Sequence, residues 1–206
     1  MFSLKKILLI EYMSCTKRGC AMFEIALYGG AFNPPHAGHA QVMIEASRLA
    51  RRVLVVPSLR HPYGKQMVDY EVRLSWLESI VEKVQPLCRA EVRASRVEQV
   101  VARGVEGAIY SYTLLAHLAD SLALDGKRIA LVVGRDVADQ LPTFYRGQEL
   151  LERFSILCVE EKIHVRSTGV RERLALGKPL PIDWMAPGMN PLNYDLYATH
   201  GNRHAH

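Results

Sequence analysis

Two histidines enclose an Ala-Gly pair in the stretch YGGAFNPPHAGHAQV, which covers residues 28–42. His36 and His39 follow a short apolar run and precede a segment with helical spacing, so we expect them at the start of a helix. The first turn of a helix attracts anions through its unpaired N–H groups and its dipole, and two imidazoles there add donors for phosphate oxygens. The pattern therefore predicts a phosphate site.

Glycines support this reading. Gly29 and Gly30 predict a backbone turn with free N–H groups, and Gly38 predicts close approach of a phosphate to the backbone. Two other interpretations of the histidines remain open: a metal pair, for which the sequence offers no clear third ligand, and ordinary loop histidines.

The two common glycine-rich phosphate loops are absent from the sequence. The segment SLRHPYGKQ, residues 58–66, lacks the leading Gly and the trailing hydroxyl of GxxxxGK[ST], and GGAFNPPHAGH does not fit GxGxxG. A P-loop kinase and a nicotinamide-dependent oxidoreductase are both disfavoured.

The elements that position these residues are predicted from periodicity. Short apolar runs alternate with longer helical segments, which favours an α/β fold: a Rossmann-like, doubly wound parallel sheet of about five strands with flanking helices in a single domain. The predicted strands are residues 24–28, 53–57, 90–94, 128–133 and 154–159. In such a sheet the ligand binds at the carboxyl ends of the strands, where the strand order reverses, and the histidine stretch follows the first strand.

Three sets of apolar residues have helical spacing: Val42, Ala46, Leu49 and Ala50; Leu74, Leu77, Val81 and Val84; Leu115, Leu118, Ala119 and Leu122. A last helix is expected to begin at Ser167 and Thr168, whose hydroxyls would cap its free N–H groups, and to end near Gly177. The proline-rich remainder predicts a short terminal helix followed by a tail.

Composition limits the class of protein. The chain has 206 residues, 49% apolar and 23% charged, and no apolar run approaches the roughly 20 residues that span a bilayer. The formal charge of +5 suits nucleic acid or a small polyanion such as a nucleotide. Because the arginines form no stripe and no aromatic-basic platform is present, we expect neither a nucleic-acid partner nor a membrane role.

The cysteines indicate the compartment. Cys15, Cys20, Cys88 and Cys158 form no CxxC pair and no zinc spacing, so we expect reduced thiols in a cytoplasmic protein.

The amino terminus is treated separately. Met22 directly precedes the first predicted strand, which suggests that residues 1–21 are a mis-assigned or disordered extension. The apolar run at residues 7–10 is shorter than the h-region of a signal peptide. The expected organisation is an extension over 1–21, a catalytic domain over 22–200 and a tail over 201–206.

Four blocks, in order, carry a resemblance to a known family. These are GGAFNPPHAGH, YSYT at 110–113, VVGRDVADQLPTFYRGQELL at 132–151 and VRSTGVRERL at 165–174. The first resembles the histidine-x-glycine-histidine signature of a nucleotidyltransferase superfamily. The others are similar to the Ser-Tyr-Thr, Gly-x-Asp…Leu-Pro-Thr-Trp-Tyr and Ile-Ser-Ser-Thr-x-Ile-Arg segments of bacterial nicotinate-nucleotide adenylyltransferases.

The resemblance implies transfer of AMP from ATP to nicotinate mononucleotide in NAD biosynthesis, giving nicotinate adenine dinucleotide and pyrophosphate. It implies Mg²⁺ bound mainly through the ATP phosphates, and ATP and nicotinate mononucleotide as partners, with a homo-oligomer possible. The attacking group is a phosphate whose second pKa is about 6, so no general base is required.

The resemblance also implies roles for individual residues. The catalytic set is His36, His39 and Arg171, with His39 bonding the α-phosphate in the transition state. The further ATP-binding residues are Gly29, Gly30, Phe32, Gly38, Lys65, Gly134, Asp136, Ser167 and Thr168. The acceptor-binding residues are Thr113, Phe144 and Tyr145.

Several of these residues also have ordinary structural interpretations. Ser167 and Thr168 could only cap a helix, Arg171 could be a solvated helix residue, and Asp136 could cap the helix after its strand. Lys65 is assigned because HPYGK follows the second strand, on the same rim. Phe144 and Tyr145 could belong to the core.

Three features depart from the family pattern. Asn33 stands where the family has Asp, Phe144 stands where it has Trp, and the connection over 159–165 is much shorter than usual. These departures bear on the acceptor more than on catalysis.

Two alternatives within the same superfamily remain: an enzyme that uses nicotinamide mononucleotide, which HPYGK also resembles, and a pantetheine-phosphate adenylyltransferase, which should lack the Leu-Pro-Thr segment. A non-catalytic nucleotide-binding regulator is the alternative from another class.

Overall fold

A five-stranded parallel sheet forms the centre of the protein. The computed structural model describes residues 22–60, 64 and 66–198, and the expectations for residues 1–21, Lys65 and the 201–206 tail lie outside that range. The strands are β1 Phe23–Gly30, β2 Ala50–Pro57, β3 Glu91–Ala94, β4 Ile129–Val133 and β5 Ser155–Cys158. Their order is β3-β2-β1-β4-β5, and every neighbouring pair is parallel. The Rossmann-like fold class is confirmed.

Helices cover both faces of this sheet. The α-helices are α1 Ala37–Ala46, α2 Tyr70–Val84, α3 Val97–Ala102, α4 Ser111–Leu122, α5 Arg135–Ala138, α6 Gly147–Arg153 and α7 Ser167–Ala175. Short 3-10 turns occur at Gln85–Leu87, Gly126–Arg128, Leu141–Thr143, Ile182–Trp184 and Pro191–Tyr197. None of the helices in the described part of the chain is long and apolar enough to cross a membrane.

Two hydrophobic cores lie on opposite sides of the sheet, because successive side chains of a strand point to opposite faces. Ala26 of β1 packs with Met43 of α1 and Leu77 of α2 on one face. Its neighbour Leu27 packs with Leu115 of α4 on the other face. The alternation fixes the register of β1 in the middle of the sheet.

The strand order reverses between β1 and β4. From β1 the chain continues outward through β2 and β3, and then returns to the other side of β1 as β4 and β5. The loops after β1 and β4 therefore diverge and leave a crevice at the carboxyl ends of these two strands. The histidine stretch enters this crevice, as the sequence predicts.

The predicted Gly-Gly turn is wrong. Gly29 pairs with Val56 and Gly30 with Pro57, so both glycines complete β1. The Gly30 carbonyl also accepts the N–H of Ser58. The residue with a positive φ is Phe32, at 46°, two positions after β1 ends.

Helix α1 is shorter than its pattern predicts. It ends at Ala46, whereas Leu49 and Ala50 were expected to continue it. The Leu49 carbonyl accepts the N–H groups of Met22 and Phe23, and Ala50 begins β2. Pairing with β1 therefore outweighs helical spacing at these positions. The other two apolar sets lie in α2 and α4 as predicted.

The last helix begins at Ser167, as expected, and ends before Gly177, whose φ of +66° suits a helix end. The predicted hydroxyl cap is wrong, because the cap residue is Arg166 and no side chain caps the helix. The Ser167 hydroxyl instead donates a hydrogen bond to the Pro34 carbonyl at 2.9 Å.

Candidate active site

The histidine pair is held in one defined orientation. His36 has an extended backbone and precedes α1, and its ring stacks on that of His39 with centroids 3.7 Å apart. The His36 backbone N–H donates to Nδ1 of His39 at 3.1 Å. Neutral His39 must therefore carry its proton on Nε2, the ring atom left free for a ligand.

Both histidines are neutral at pH 7. Burial lowers the pKa of His36 to about 4, and the nearby charge of Arg166 contributes in the same direction. Burial, His36 and Arg166 together hold the pKa of His39 well below its usual range. The pair therefore offers N–H donors, and positive charge for a polyanion must come from arginine or lysine.

Gly38 makes room for protein atoms. A Cβ at this position would lie 3.1 Å from Nδ1 of His36 and 3.1 Å from the Ile163 carbonyl oxygen. Close approach of a phosphate is therefore not the reason for this glycine on that side. Nδ1 of His36 is itself buried and has no hydrogen-bond partner among the described residues.

Phe32, in the loop after β1, packs against the second histidine. Its buried ring packs edge-on against His39, with centroids 4.9 Å apart, and against Tyr28 at 5.4 Å. A Cβ at Gly30 would lie only 3.3 Å from the Phe32 ring, so Gly30 is needed for this packing. Gly29, in contrast, is exposed, and its Cβ position contacts only Leu27 at 4.0 Å. The end of β1 thus has an open face beside the histidines.

The Asn33 side chain joins the loop after β1 to two other parts of the chain. Its buried Oδ1 accepts the hydroxyl of Tyr197 at 2.6 Å and the N–H of Val68 at 3.1 Å. Its Nδ2 lies 3.5 Å from the Gln66 carbonyl. The amide therefore joins three segments, a role that needs no negative charge.

The last helix reaches the same loop. Nη1 of Arg171 donates to the Asn33 carbonyl at 2.6 Å, and Nη2 donates to Oγ1 of Thr168 at 3.1 Å. The bond from Ser167 to Pro34 joins residues 133 positions apart, and the bond from Arg171 to Asn33 joins residues 138 positions apart. The structure thus brings together the two motifs that the sequence assigns to the triphosphate.

A charged cluster forms the β4 side of the crevice. Arg166 pairs with Asp136 at 3.1 Å and with Glu161. A Cβ at Gly134 would lie 2.7 Å from Oε1 of Glu161 and 2.9 Å from Oδ1 of Asp136. Gly134 therefore leaves the space that both carboxylates occupy. Asp136 lies within α5, and the cap position that was its alternative role belongs to Gly134.

The predicted acceptor residues come from two segments, the start of α4 and the chain after the 3-10 turn Leu141–Thr143. Thr113 lies in the first turn of α4, and Phe144 packs partly buried against the core on that face. Tyr145 is 51% exposed and stacks on Tyr110, with ring centroids 4.6 Å apart. Tyr110 was not identified from the sequence, although its position directly before Ser-Tyr-Thr is a signal for it.

Arg73 is a supporting residue that sequence reasoning missed. It is 1% exposed and donates to three carbonyls: Val68 at 2.7 Å, Ala31 at 2.8 Å and Ser58 at 2.8 Å. It thereby joins the loops after β1 and β2 to the start of α2. Its position one residue before Leu74, on the apolar face of α2, is the signal that could have identified it as buried.

The chain after α7 is part of the site and not only a helix and tail. The Tyr194 hydroxyl donates to the Pro35 carbonyl at 3.1 Å and accepts the Ala186 N–H at 2.8 Å. Together with the bond from Tyr197 to Asn33, this places the C-terminal segment beneath the histidine loop. No periodicity in the proline-rich sequence predicts it.

The connection from β5 to α7 is short and lies on α1. The Gln41 side chain donates to the Glu160 carbonyl and accepts the N–H of Lys162, both at 3.1 Å. This places the Ile163 carbonyl over Gly38. In the described ranges 22–60, 64 and 66–198, no group of three or more His, Cys, Asp or Glu residues could hold a metal ion.

Comparison with known proteins gives a consistent result. The cytidylyltransferase-like family model matches residues 27–189. A protein of Anaeromyxobacter dehalogenans named "Probable nicotinate-nucleotide adenylyltransferase" is 33% identical over 173 residues, which are 75% of this chain and 86% of the relative. A protein of the same name from Sulfurimonas denitrificans is 29% identical over 177 residues, 76% of this chain and 88% of the relative.

Solved structures have the same fold. A crystal structure from Vibrio parahaemolyticus, described as a "Putative Nicotinate-nucleotide Adenylyltransferase", matches with a TM-score of 0.65 and 28% identity over 85% of this chain and 99% of that one. The nicotinic acid mononucleotide adenylyltransferase of Plasmodium falciparum complexed with NaAD also gives 0.65, at 14% identity over 88% of this chain and 97% of that one. The latter supports the fold alone.

Proposed function

We propose that this chain, which belongs to the cytidylyltransferase-like family and to its nicotinate-nucleotide adenylyltransferases, transfers the adenylyl group of ATP to nicotinate mononucleotide. The products are nicotinate adenine dinucleotide and pyrophosphate. One observation carries the proposal: the histidine loop and the start of α7 are joined at the reversal of the strand order by Arg171–Asn33 and Ser167–Pro34 hydrogen bonds. This arrangement suits a triphosphate held between two helix N-termini.

The chemistry requires positioning and charge neutralisation. A phosphate oxygen of the acceptor forms a bond to the α-phosphorus, and the bond from that phosphorus to the oxygen bridging to the β-phosphate breaks. The attacking phosphate is already ionised at pH 7, because its second pKa is about 6. No group of the protein needs to remove a proton, so catalysis depends on holding the two phosphates in line.

His39 is assigned to the α-phosphate. Its Nε2–H is the free donor, since Nδ1 accepts the backbone N–H of His36. A neutral donor that does not change its protonation state can bond a non-bridging oxygen more tightly as charge develops there. His36 is assigned to the neighbouring phosphates, with its stacked ring holding that of His39 in place.

Arg171, Ser167 and Thr168 are assigned to the β- and γ-phosphates and thus to the leaving pyrophosphate. A guanidinium has five N–H donors, and the bonds of Arg171 to Asn33 and Thr168 use two of them. The remaining donors stay available for phosphate oxygens. The proposal extends to the other predicted ATP-binding residues: Gly29, Gly30, Phe32, Gly38, Lys65, Gly134 and Asp136.

Mg²⁺ is proposed to enter with ATP. The absence of an acidic cage among the described residues fits a hydrated ion bound mainly through phosphates. Such an ion supplies charge neutralisation on the triphosphate. Asp136, in α5 shortly after β4, is assigned to accept a hydrogen bond from one of its waters or from a ribose hydroxyl.

Thr113, Phe144 and Tyr145 are proposed to surround the pyridine ring of the acceptor. Tyr145 is 51% exposed and stacks on Tyr110, so a pyridine ring could extend this stack, whereas Phe144 packs against the core. The proposed location of the reaction is the cytoplasm, which rests on the expectation of reduced thiols; Cys88 and Cys158 are free in the described part of the chain. A homo-oligomer remains an expectation.

The acceptor is tested by pyrophosphate release. The full chain is incubated with ATP and Mg²⁺, with either nicotinate or nicotinamide mononucleotide. We expect faster release with the nicotinate form. Faster release with the nicotinamide form would move the assignment to that acceptor, and no release with either would favour a non-catalytic nucleotide-binding protein.

A further inference from the structure

Arg166 has an unusual position for an exposed arginine. It occupies the position before α7, the helix that carries Ser167, Thr168 and Arg171, and its side chain is 55% exposed. Its guanidinium bridges two carboxylates, Asp136 after β4 and Glu161 after β5. The bridge lies over Gly134, at the carboxyl end of β4. Arg166 is therefore held on the β4 side of the crevice, directly before the first turn of α7.

The charge of the same guanidinium also reaches the end of β1. It acts on His36 and His39, and on the Tyr28 hydroxyl. Arg166 precedes the first turn of the nine-residue helix α7, so its charge influences both β1 and β4 from that position.

Charge balance makes an arginine there significant. Both histidines are neutral, so they bring no positive charge to a triphosphate that carries several negative charges. Asp136 and Glu161 add two negative charges at the same edge. A further cation at this edge would favour an anion beside β4, and Arg166 is the arginine that pairs with both carboxylates.

We propose that Arg166 is an ATP-phosphate ligand held ready by Asp136 and Glu161, and that it exchanges its carboxylate partners for phosphate oxygens when ATP binds. This inference rests on the proposed function only in taking ATP as the ligand. The motif that VRSTGVR resembles has serine at this position, so the resemblance assigns no role to Arg166.

The exchange is favourable on general grounds. An exposed arginine–carboxylate pair contributes about 0–1 kcal/mol, so releasing it costs little. A guanidinium that bonds two phosphate oxygens makes stronger, charge-assisted contacts, and the neighbouring helix N-terminus favours the same anion. The two carboxylates therefore orient the Arg166 side chain, but their hold is weak enough for phosphate oxygens to replace them.

The test is calorimetric measurement of ATP binding to the full chain with Mg²⁺ and without acceptor. Arg166→Ser is expected to raise the Kd for ATP by about 10- to 100-fold, the usual loss for a hydrogen bond between charged groups. Binding of adenosine, which lacks phosphates, should not change. Arg166→Lys keeps the positive charge but lacks the planar guanidinium, so its Kd for ATP should lie between those of the wild type and Arg166→Ser.

A matched control is Arg52→Ser. Arg52 also pairs with a carboxylate, Glu91 at 3.1 Å, and is 46% exposed, but it lies near the amino ends of the strands. Its removal should leave the Kd for ATP unchanged. An equal loss in both variants would assign the effect to general charge and overturn the proposal, as would an unchanged Kd in Arg166→Ser.

A mutant cycle with Glu161→Gln and Asp136→Asn separates two roles. If Arg166 only neutralises its two carboxylate partners, the loss caused by Arg166→Ser should disappear when Glu161→Gln is combined with Asp136→Asn, and the proposal fails. If Arg166 binds phosphate, the loss should persist there, because the two substitutions remove competitors for the guanidinium. Since no acceptor is present, the cycle remains informative even if no dinucleotide is formed.

Discussion

At the scale of single residues, the site depends on imidazoles that act as neutral donors. The hydrogen bond from the His36 N–H to Nδ1 of His39 fixes the tautomer, and the packing of Phe32 fixes the ring plane. Burial lowers both histidine pKa values, so the donors keep the same protonation state across the neutral range. Charge is then supplied by arginines.

We expect His39→Ala to lower kcat by about 10²- to 10³-fold, the usual cost of losing a donor to transition-state charge. The Kd for ATP should change much less, because Arg171 and α7 hold the β- and γ-phosphates. Steady-state kinetics together with calorimetry separate the two quantities. His117→Ala, on α4, serves as the control.

A different outcome for His39→Ala would change its role. If kcat and ATP affinity fell by the same factor, His39 would contribute ground-state binding only, and the assignment to the α-phosphate would be wrong.

The sequence predicts the site residues that lie in motifs, but not the long-range contacts that support them. His36, His39, Ser167 and Arg171 lie in recognisable motifs, and the structure brings them together. The hydrogen bond of Asn33 to Tyr197 joins positions 164 residues apart. Neither residue has a local pattern that indicates the other, so this contact could not be predicted.

At the scale of elements, the loop after β2 is hydrogen-bonded to two helices, α2 and α3. Arg73 of α2 binds the Ser58 carbonyl at 2.8 Å, and Glu98 of α3 accepts the Leu59 N–H at 2.7 Å. Glu98 is 3% exposed, and burial raises its pKa to about 7 despite the opposing effects of the backbone N–H groups and Arg73. The loop that leads to Lys65 is thus tied to a buried, titratable group.

Glu98 should make stability depend on pH. Its native pKa lies above the unfolded value of 4.5, so the native state binds the extra proton, and stability falls as pH rises from 4.5 to 7. The contribution is about 3 kcal/mol across this interval. Glu98→Gln keeps the acceptor for Leu59 and removes the titration.

Urea unfolding at pH 5 and pH 8 measures this effect. The free energy of unfolding of the wild type should fall relative to that of Glu98→Gln between the two pH values. Parallel behaviour of the two proteins would show that the carboxyl is ionised at pH 5 and that its pKa is not raised.

Elements were predicted best where one face is continuously buried. The apolar sets of α2 and α4 correspond to helices, and the five strands lie within a few residues of their predicted bounds. Predictions failed where tertiary pairing decides the structure: Gly29 and Gly30 extend β1, and Leu49 leaves α1 for the sheet. The C-terminal 3-10 turn Pro191–Tyr197 is fixed by tyrosine hydroxyls rather than by periodicity.

At the scale of the whole molecule, the site is assembled from both ends of the described chain. β1 leads into the loop of residues 31–36, which supplies His36, and α1 supplies His39. Helix α7 contacts this loop through Ser167 and Arg171, and the C-terminal turn contacts it through Tyr194 and Tyr197. A site of this kind requires the complete sheet order, because the crevice exists only where β1 and β4 are neighbours.

We expect deletion of residues 1–21 to leave folding and adenylyl transfer unchanged. Phe23, the first residue of β1, pairs with Ala50, and the N–H groups of Met22 and Phe23 bond to Leu49. A second deletion that also removes residues 22–26 takes away part of β1 and should unfold the protein. Circular dichroism and turnover of the two truncated chains make the comparison, and an inactive first truncation would contradict the predicted start at Met22.

The most direct test of the account follows the α-phosphate of ATP. The full chain is given ATP labelled at the α-phosphorus, Mg²⁺ and nicotinate mononucleotide, and the products are separated by chromatography. We predict that the label appears in nicotinate adenine dinucleotide only when the acceptor is present, while the pyrophosphate is unlabelled. Label that remains in ATP, or that appears only as AMP, would contradict adenylyl transfer by this protein.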